Sequence, residues 1–341
     1  MKKIVGFGDM LISFSPPGYQ RFLQAETMEL NYTGAEANVL VSLSMFGMST
    51  KFVTRLPKNP VAEAAIACMR KYGVGTDKIV FGGDRMGVIY TEKGAAQRPS
   101  KVIYDRKHTS ISTAERSDFN WDEIFGDDTG WFHFTGITPA LSDSLADICE
   151  DACRAAKAKG ITVSCDLNYR KKLWTEEKAK AVMERLVPYV DVLIANEEDA
   201  DKVLGIRAAG SDVTAGRLSR EGYISVARKI CEKYGVGKVG ITLRKSISAS
   251  DNEWSAMLYD GKDAYFSKEY KIHIVNRVGG GDSFTGALIY ALMNGYDAQG
   301  AIEFAAAASC LKHSIEKDFN LVTVDEVNTL AGGDASGRVQ R

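Results

Sequence analysis

The sequence predicts an α/β protein, with a mostly parallel central sheet flanked by helices and a small β-sheet lid. Three observations carry this reading. Short runs rich in β-branched and aromatic residues alternate with longer helical patterns, the order that a parallel sheet with crossover helices requires. Several helical segments close on a glycine, among them Gly47, Gly160 and Gly235, as helices do when a left-handed residue ends them. Residues 11–34 and 84–112 keep a strand-like alternation with no helix between their strands.

Taken in order, core strands are expected over Ile4–Phe7, Lys51–Thr54, Trp131–Phe134, Thr162–Asp166, Val192–Ala195 and Lys238–Leu243. The periodicity predicts helices over Glu36–Phe46, Ser142–Lys159, Thr175–Val187 and Ser219–Tyr234 between them. Two more, Asp282–Asn294 and Ala298–Lys312, are joined through Gly295. The two strand-only stretches read as insertions that leave the core and return to it, with Val88 and Tyr90, then Val102 and Tyr104, in alternation. Such a flap is placed to cover an active site. The core is therefore assigned to residues 1–10, 35–83 and 113–325, the lid to 11–34 and 84–112, and a frayed tail to 326–341.

A chain of 341 residues can bury a large core and shape a deep cleft. Its 43 basic and 44 acidic side chains leave a net charge of −1. No overall field is available to hold a nucleic-acid backbone or an anionic membrane, so neither is expected as a partner. The start has no signal-peptide pattern, and no apolar run approaches the roughly 20 residues of a membrane span. The six cysteines are scattered with no C-x-x-C pair, and the four histidines cluster with none of them. Reduced, packed thiols in a soluble cytoplasmic protein are expected, and no zinc site.

Gly6 and Gly8 close the first strand, but Leu11 stands where a dinucleotide fold needs its third glycine. The stronger signal is Gly279-Gly280-Gly281-Asp282, followed by a helical run. Three glycines let the backbone aim consecutive N–H groups at a ligand, and the helix start adds the positive end of its dipole. That is an anion cradle suited to a phosphate in transfer, with Asp282 beside it as a general base. The same residues also suit a tight turn with Asp282 as an N-cap.

Asn276-Arg277-Val278-Gly279-Gly280-Gly281-Asp282-Ser283-Phe284-Thr285-Gly286-Ala287 resembles the C-terminal signature of the ribokinase (PfkB) family of carbohydrate kinases. Thr33-Gly34-Ala35-Glu36-Ala37-Asn38 echoes that family's N-terminal signature, and the resemblance spans about residues 3–325. Within the family the chain most resembles the 2-keto-3-deoxygluconate kinases. The residues that carry this are 102–106, Asp166-Leu167-Asn168-Tyr169-Arg170, and 311–314 with Asp318-Phe319.

The resemblance implies a ribokinase-like fold, ATP and Mg²⁺ as nucleotide and cofactor, a sugar acid as substrate, and a homodimer formed through the lid. It implies that Gly34 and Asn38 line the sugar site, that Tyr90, Tyr104 and Arg106 reach it from the flap, and that Arg170 and Asp318 reach it from the core. Two arginines match the forked geometry of a carboxylate, which a neutral hexose would not require. For the nucleotide it points to Asn168, Asn196, Thr242, Arg244, Ser246, Ser309 and Lys312. Asn196 and Asp199 would hold Mg²⁺ through water.

This sequence departs from the family pattern at three places: Asp199 replaces the usual Glu, Arg244–Ser248 replaces a glycine-containing loop, and Asn276-Arg277 replaces an Asp-Thr pair. A kinase for a neutral ketose, or a non-catalytic binding protein on the same scaffold, therefore stays open at the level of sequence.

Overall fold

The computed structural model describes residues 2–207 and 219–337. Strand β1 (Lys3–Phe7) runs through the main sheet and is buried from Ile4 onward. Ile4 enters the core on one face while Val5 and Phe7 enter it on the other, because successive strand residues point to opposite faces. β1 pairs in parallel with β4 (Thr50–Val53) and with β9 (Thr129–Thr135). Parallel pairing continues through β10 (Thr162–Asp166) and β11 (Val192–Ala195) to β12 (Lys238–Ser246). Beyond β12 the sheet turns antiparallel: β13 (Asp251–Tyr259) pairs with β12, and β14 (Ala264–Phe266) and β15 (Tyr270–His273) pair with β13.

Helices cover both faces, as a sheet buried on both sides requires. On one face lie α3 (Trp121–Ile124), α4 (Ile137–Ala140), α5 (Asp143–Ala158), α6 (Glu176–Leu186), α7 (Glu197–Leu204) and α8 (Arg220–Tyr234). On the other lie α1 (Ala35–Met45), α2 (Pro60–Lys71), α9 (Gly280–Met293), α10 (Ala298–Lys312) and α11 (Val324–Ala331). Ser142, Thr175 and Ser219 each accept a backbone N–H from the first turn of the helix they precede, which fixes those starts where the sequence places them.

The lid is a separate sheet of β2 (Leu11–Ser15), β3 (Glu29–Thr33), β7 (Gly87–Glu92) and β8 (Lys101–Asp105), in the order β3-β2-β7-β8. Apart from both sheets, β5 (Arg55–Leu56) and β6 (Val80–Phe81) form a small parallel pair. Alternation divides the lid into two faces. Leu11, Thr33, Ile89, Thr91, Val102 and Tyr104 look into the cleft beneath it, and Phe14, Leu30 and Tyr90 look away; Ile103 pairs with Tyr90 and also borders the cleft. The lid is tied down at its tip, where Ala249 N–H donates to the Ala96 carbonyl (2.7 Å) and Ala96 N–H to Ser250 Oγ (2.9 Å). Lys172 Nζ also donates to the Val102 carbonyl (3.1 Å), and Lys93 pairs with Glu316.

Several elements depart from the sequence reading, among them β12, α11 and α2. β12 does not end at Leu243: Arg244, Lys245 and Ser246 continue it, opposite Trp254, Glu253 and Asn252. The tail assigned from residue 326 is helical to Ala331, because Thr323 and Glu326 form a capping box and Val327 and Leu330 are buried; positions 338–341 lie outside the described residues. α2 was not foreseen, although Asn59 caps it and Pro60 takes its first position. Among the described residues no helix is long and apolar enough to cross a membrane.

Candidate active site

The parallel strands β9 to β12 end on the same side of the sheet, and the lid hangs over those ends. Between them lies a cleft of about 1520 Å³. Crevices outside the carboxyl ends of parallel strands are where open α/β sheets bind ligands. Sites for one small ligand run to about 300–1,000 Å³, so this cleft has room for two.

The glycine loop forms its floor. Gly279 has φ 82°, and a Cβ there would sit 2.1 Å from the Asp318 carbonyl oxygen. Only glycine tolerates both the left-handed backbone and that approach. α9 begins at Gly280 and places Asp282 in its first turn, within the cleft lining; Gly279, not Asp282, is its N-cap. Asn38 Nδ2, from α1, donates to Asp282 Oδ2 at 2.7 Å. The two signature segments, 244 residues apart in sequence, thus meet in one hydrogen bond. Burial raises the Asp282 carboxyl to about 6, against the pull of Asn38, Arg170 and Lys312. Asp282 Oδ1 is the oxygen that this bond leaves available to accept a proton.

On the lid side, Gly34 caps α1, and a Cβ there would meet the Asp9 carbonyl oxygen at 2.1 Å. Gly34, Asn38, Tyr104, Arg106 and Arg170 all line the cleft. The Arg106 guanidinium is stacked 4.1 Å from the Tyr104 ring centroid and is 8% exposed. Its Nε and Nη1 have no hydrogen-bond partner among the described residues, and neither does Oδ2 of buried Asp9. Burial raises the Asp9 carboxyl while Arg106 draws it down. Asp9 is not itself in the cleft lining but stands beside Arg106, with its carbonyl oxygen against Gly34; its only sequence signal is its place at the end of the first strand.

Two residues expected on the sugar side stand elsewhere. Tyr90 is opposite Phe14, with stacked rings 5.9 Å apart, on the lid face that looks away from the cleft. The one-residue offset from Ile89 and Thr91 turns it there. Asp318 is buried outside the cleft lining, where Thr33 and Lys312 favour its charged form against the effect of burial. It supports the segment that leads into Gly34.

At the other end, Asn168, Asn196, Thr242 and Arg244 line the cleft. So does Arg277, whose guanidinium pKa is lowered by burial and by Arg244 beside it. Two like charges held together next to an anion cradle suit a polyphosphate. Arg277 was read in the sequence only as a departure from the family. Three other expected nucleotide contacts are not in the lining. Ser246 lies at the exposed far end of β12 because the strand continues past Leu243. Ser309 and Lys312 are fully buried on α10, behind the glycine loop, where Ser309 Oγ donates to the Gly280 carbonyl at 2.7 Å.

Asn196 Oδ1 accepts the backbone N–H groups of Glu198 and Asp199 as the N-cap of α7. That engages its oxygen and leaves Nδ2 as a donor toward the cleft. For Mg²⁺ the relevant donors are carboxylates. Asp166, at the end of β10, is raised well above its ordinary value, first by burial and then by Asp199 and Asp282. Burial raises Asp199 itself to about 6. Hard oxygen donors that repel one another fit a divalent cation. Among the described residues no three such groups come close enough to hold a metal unaided; Mg²⁺ takes one or two carboxylates and completes its shell with water and phosphate.

The chain has extensive likeness to known proteins. It is 33% identical over 334 residues to 2-dehydro-3-deoxygalactonokinase of Haloferax volcanii, covering 98% of each chain. It is 26% identical over 324 residues to 2-dehydro-3-deoxygluconokinase of Thermoproteus tenax, covering 93% of this chain and 90% of that one. The crystal structure of 2-dehydro-3-deoxygluconokinase from Thermotoga maritima superposes with a TM-score of 0.94 at 52% identity, covering 97% of this chain and 98% of that one. Residues 1–316 match the pfkB family carbohydrate kinase model. With the glycine loop, its aspartate and the lidded cleft in place, the chain belongs to the pfkB family and is an ATP-dependent carbohydrate kinase.

Proposed function

We propose that this kinase transfers the γ-phosphoryl group of ATP to the primary hydroxyl of 2-keto-3-deoxygluconate, with Asp282 as the general base. The observation that carries this reading is the Asn38–Asp282 hydrogen bond of 2.7 Å, which holds the carboxylate between the sugar side and the anion cradle. Asp282 takes the proton of the attacking hydroxyl as that oxygen bonds to phosphorus in line with the departing ADP. The N–H groups of Gly279 and Gly281 would face the charge that develops on the phosphoryl oxygens, whereas that of Gly280 donates to the Arg277 carbonyl at 3.3 Å. Arg244 and Arg277 orient the polyphosphate. Asp166 and Asp199 would hold Mg²⁺, which neutralises phosphate charge when bound.

A sugar acid is favoured over a neutral ketose by Arg106. Its buried Nε and Nη1 carry unsatisfied donors, a costly arrangement that a ligand carboxylate relieves with charge-assisted hydrogen bonds. Arg170 adds a second guanidinium. A coupled ADP-release assay with 2-keto-3-deoxygluconate and with fructose tests the assignment. Turnover of the acid is expected, with Arg106→Ala losing about ten- to a hundredfold in kcat/KM toward it. Turnover of fructose alone rejects the proposal. The relatives named above act on such acids by name, and the epimer preferred here is an outcome of the same assay.

A homodimer through the lid is part of the proposal. The outward face carries Phe14, Leu30 and Tyr90 and is bordered by Ile103, with Leu30 48% and Ile103 53% exposed, an apolar surface that a second lid would cover.

A further inference from the structure

We infer that Ser309 is a positioning residue for phosphoryl transfer: from behind the glycine loop its hydroxyl holds the Gly280 carbonyl, and so aims the Gly281 N–H at the phosphate. This rests on the reading of the loop as an anion cradle, and on neither choice of sugar.

Ser309 follows four alanines, Ala305 to Ala308, in α10 and is wholly buried. A serine inside a helix ordinarily turns its hydroxyl back to the carbonyl four residues earlier. Here the hydroxyl leaves its own helix and donates to the Gly280 carbonyl of α9 at 2.7 Å. Burial makes that bond costly to leave unmade. Gly280 is held on its other side as well, where its N–H donates to the Arg277 carbonyl at 3.3 Å. Both polar groups of Gly280 are thus engaged.

The next N–H, that of Gly281, donates to no carbonyl among the described residues, as befits the first turn of a helix. Gly281 lines the cleft, and a Cβ there would meet nothing within 4 Å. The Gly280 carbonyl and the Gly281 N–H belong to one planar trans peptide, in which the two point in opposite directions. A carbonyl drawn back to α10 therefore presents the N–H forward to the cleft.

His313, one turn further along α10, closes the same side. Its ring comes within 2.5 Å of where a Gly280 Cβ would be. Its carbonyl accepts the N–H groups of Val275 (2.8 Å) and Asn276 (3.2 Å), in the segment that leads into the loop. Ser309 and His313 share one helix face, and His313 Nδ1 lies 2.7 Å from the Ser309 carbonyl. Ser309 is the part of this backing that reaches the peptide carrying the donor. A donor fixed in advance need not reorient as charge grows on the phosphoryl oxygens. The contribution of Ser309 therefore belongs to the transition state more than to the binding of ATP.

The test compares Ser309→Ala with the wild type in kcat, in KM for ATP and for the sugar, and in inhibition by ADP with aluminium fluoride, a mimic of the phosphoryl group in transfer. Either 2-keto-3-deoxygluconate or fructose serves, whichever is turned over. Ser309→Ala is expected to lose about five- to thirtyfold in kcat, less than the roughly 10²- to 10³-fold that deleting an oxyanion donor costs. Inhibition by the mimic should weaken by the same factor, with both KM values changed by about twofold or less. A residue that only stabilises the fold would lower the melting temperature without this split. Wild-type kcat in Ser309→Ala overturns the inference, as does an equal loss for ATP and for the mimic. Should Ser309→Ala not melt cooperatively, Ser309→Cys decides by the same split, since a thiol nearly keeps the volume and donates weakly. Gly281→Pro tests the cradle separately, because it removes the N–H at a first-turn position that tolerates proline. It should lose about 10²-fold or more in kcat, and Ser309→Ala added to it should cost nothing further. A full second loss in the double variant overturns the inference and leaves the cradle standing. Wild-type turnover in Gly281→Pro defeats the cradle reading itself.

Discussion

At the scale of single residues, the account turns on charged groups whose ordinary behaviour is altered by burial. Asp282 titrates near 6, so the fraction able to accept a proton falls as pH drops through that value, and turnover should fall with it. Asp282→Ala should lose about 10²- to 10⁴-fold in kcat while ATP binding, measured by calorimetry, persists. Glu36 gives a test of stability instead. Its Oε1 accepts from Thr135 N–H, Thr135 Oγ1 and Thr138 Oγ1, and burial raises the carboxyl to about 7. The folded state therefore binds this proton more tightly than the unfolded chain, so stability declines as pH rises from about 4.5 through 7. Glu36→Gln removes that decline, and its melting temperature should gain on the wild type between pH 5 and 8; a constant gap contradicts the assignment. Gly34 and Gly279 were legible in the sequence because they stand in the two signature segments. Asp9, Asp166 and Arg277 were not, because what marks them is an unpaired atom or a like charge brought near by the fold.

At the scale of elements, the hairpin of β12 and β13 shows why part of the site was misread. Arg244-Lys245-Ser246 is polar and exposed, which in sequence reads as a loop. In the structure Lys245 pairs with Glu253 across the hairpin, at 2.7 Å, and a cross-strand pair of this kind needs no apolar pattern. The extension carries the hairpin tip out to the lid, where Ser250 and Ala249 bond Ala96. Strand β12 also carries Arg244, so the nucleotide half of the cleft and the sugar lid share one support. Ser250→Ala removes one of these bonds, worth about 1 kcal/mol. The sugar KM should rise severalfold with kcat little changed, and an unchanged KM would show that the lid does not depend on this contact. α11 had a legible start in Thr323-x-x-Glu326, obscured by the small polar residues that follow Ala331.

At the scale of the molecule, the mostly parallel character of the sheet followed from the alternation of β and α segments, since each parallel pair needs a crossover and the crossovers are visible as periodic helices. The partition of the lid into two faces also lies in that alternation. It shows why Tyr90, expected over the sugar, stands with Phe14 on the outer surface. If that surface joins two copies, light scattering should give twice the mass of a 37.2 kDa chain, and Ile103→Asp should shift it to one. The net charge of −1 conceals a cleft built for two anions, with Arg106 and Arg170 toward one and Arg244, Arg277 and the glycine loop toward the other. The central claim is that Asp282 abstracts a proton from a sugar acid in that cleft. It is tested most directly by ADP release with 2-keto-3-deoxygluconate in wild type and Asp282→Asn. The account predicts turnover in the first and a loss of about two orders of magnitude or more in the second. Equal rates in the two proteins, or no turnover of the acid by the wild type, would contradict it.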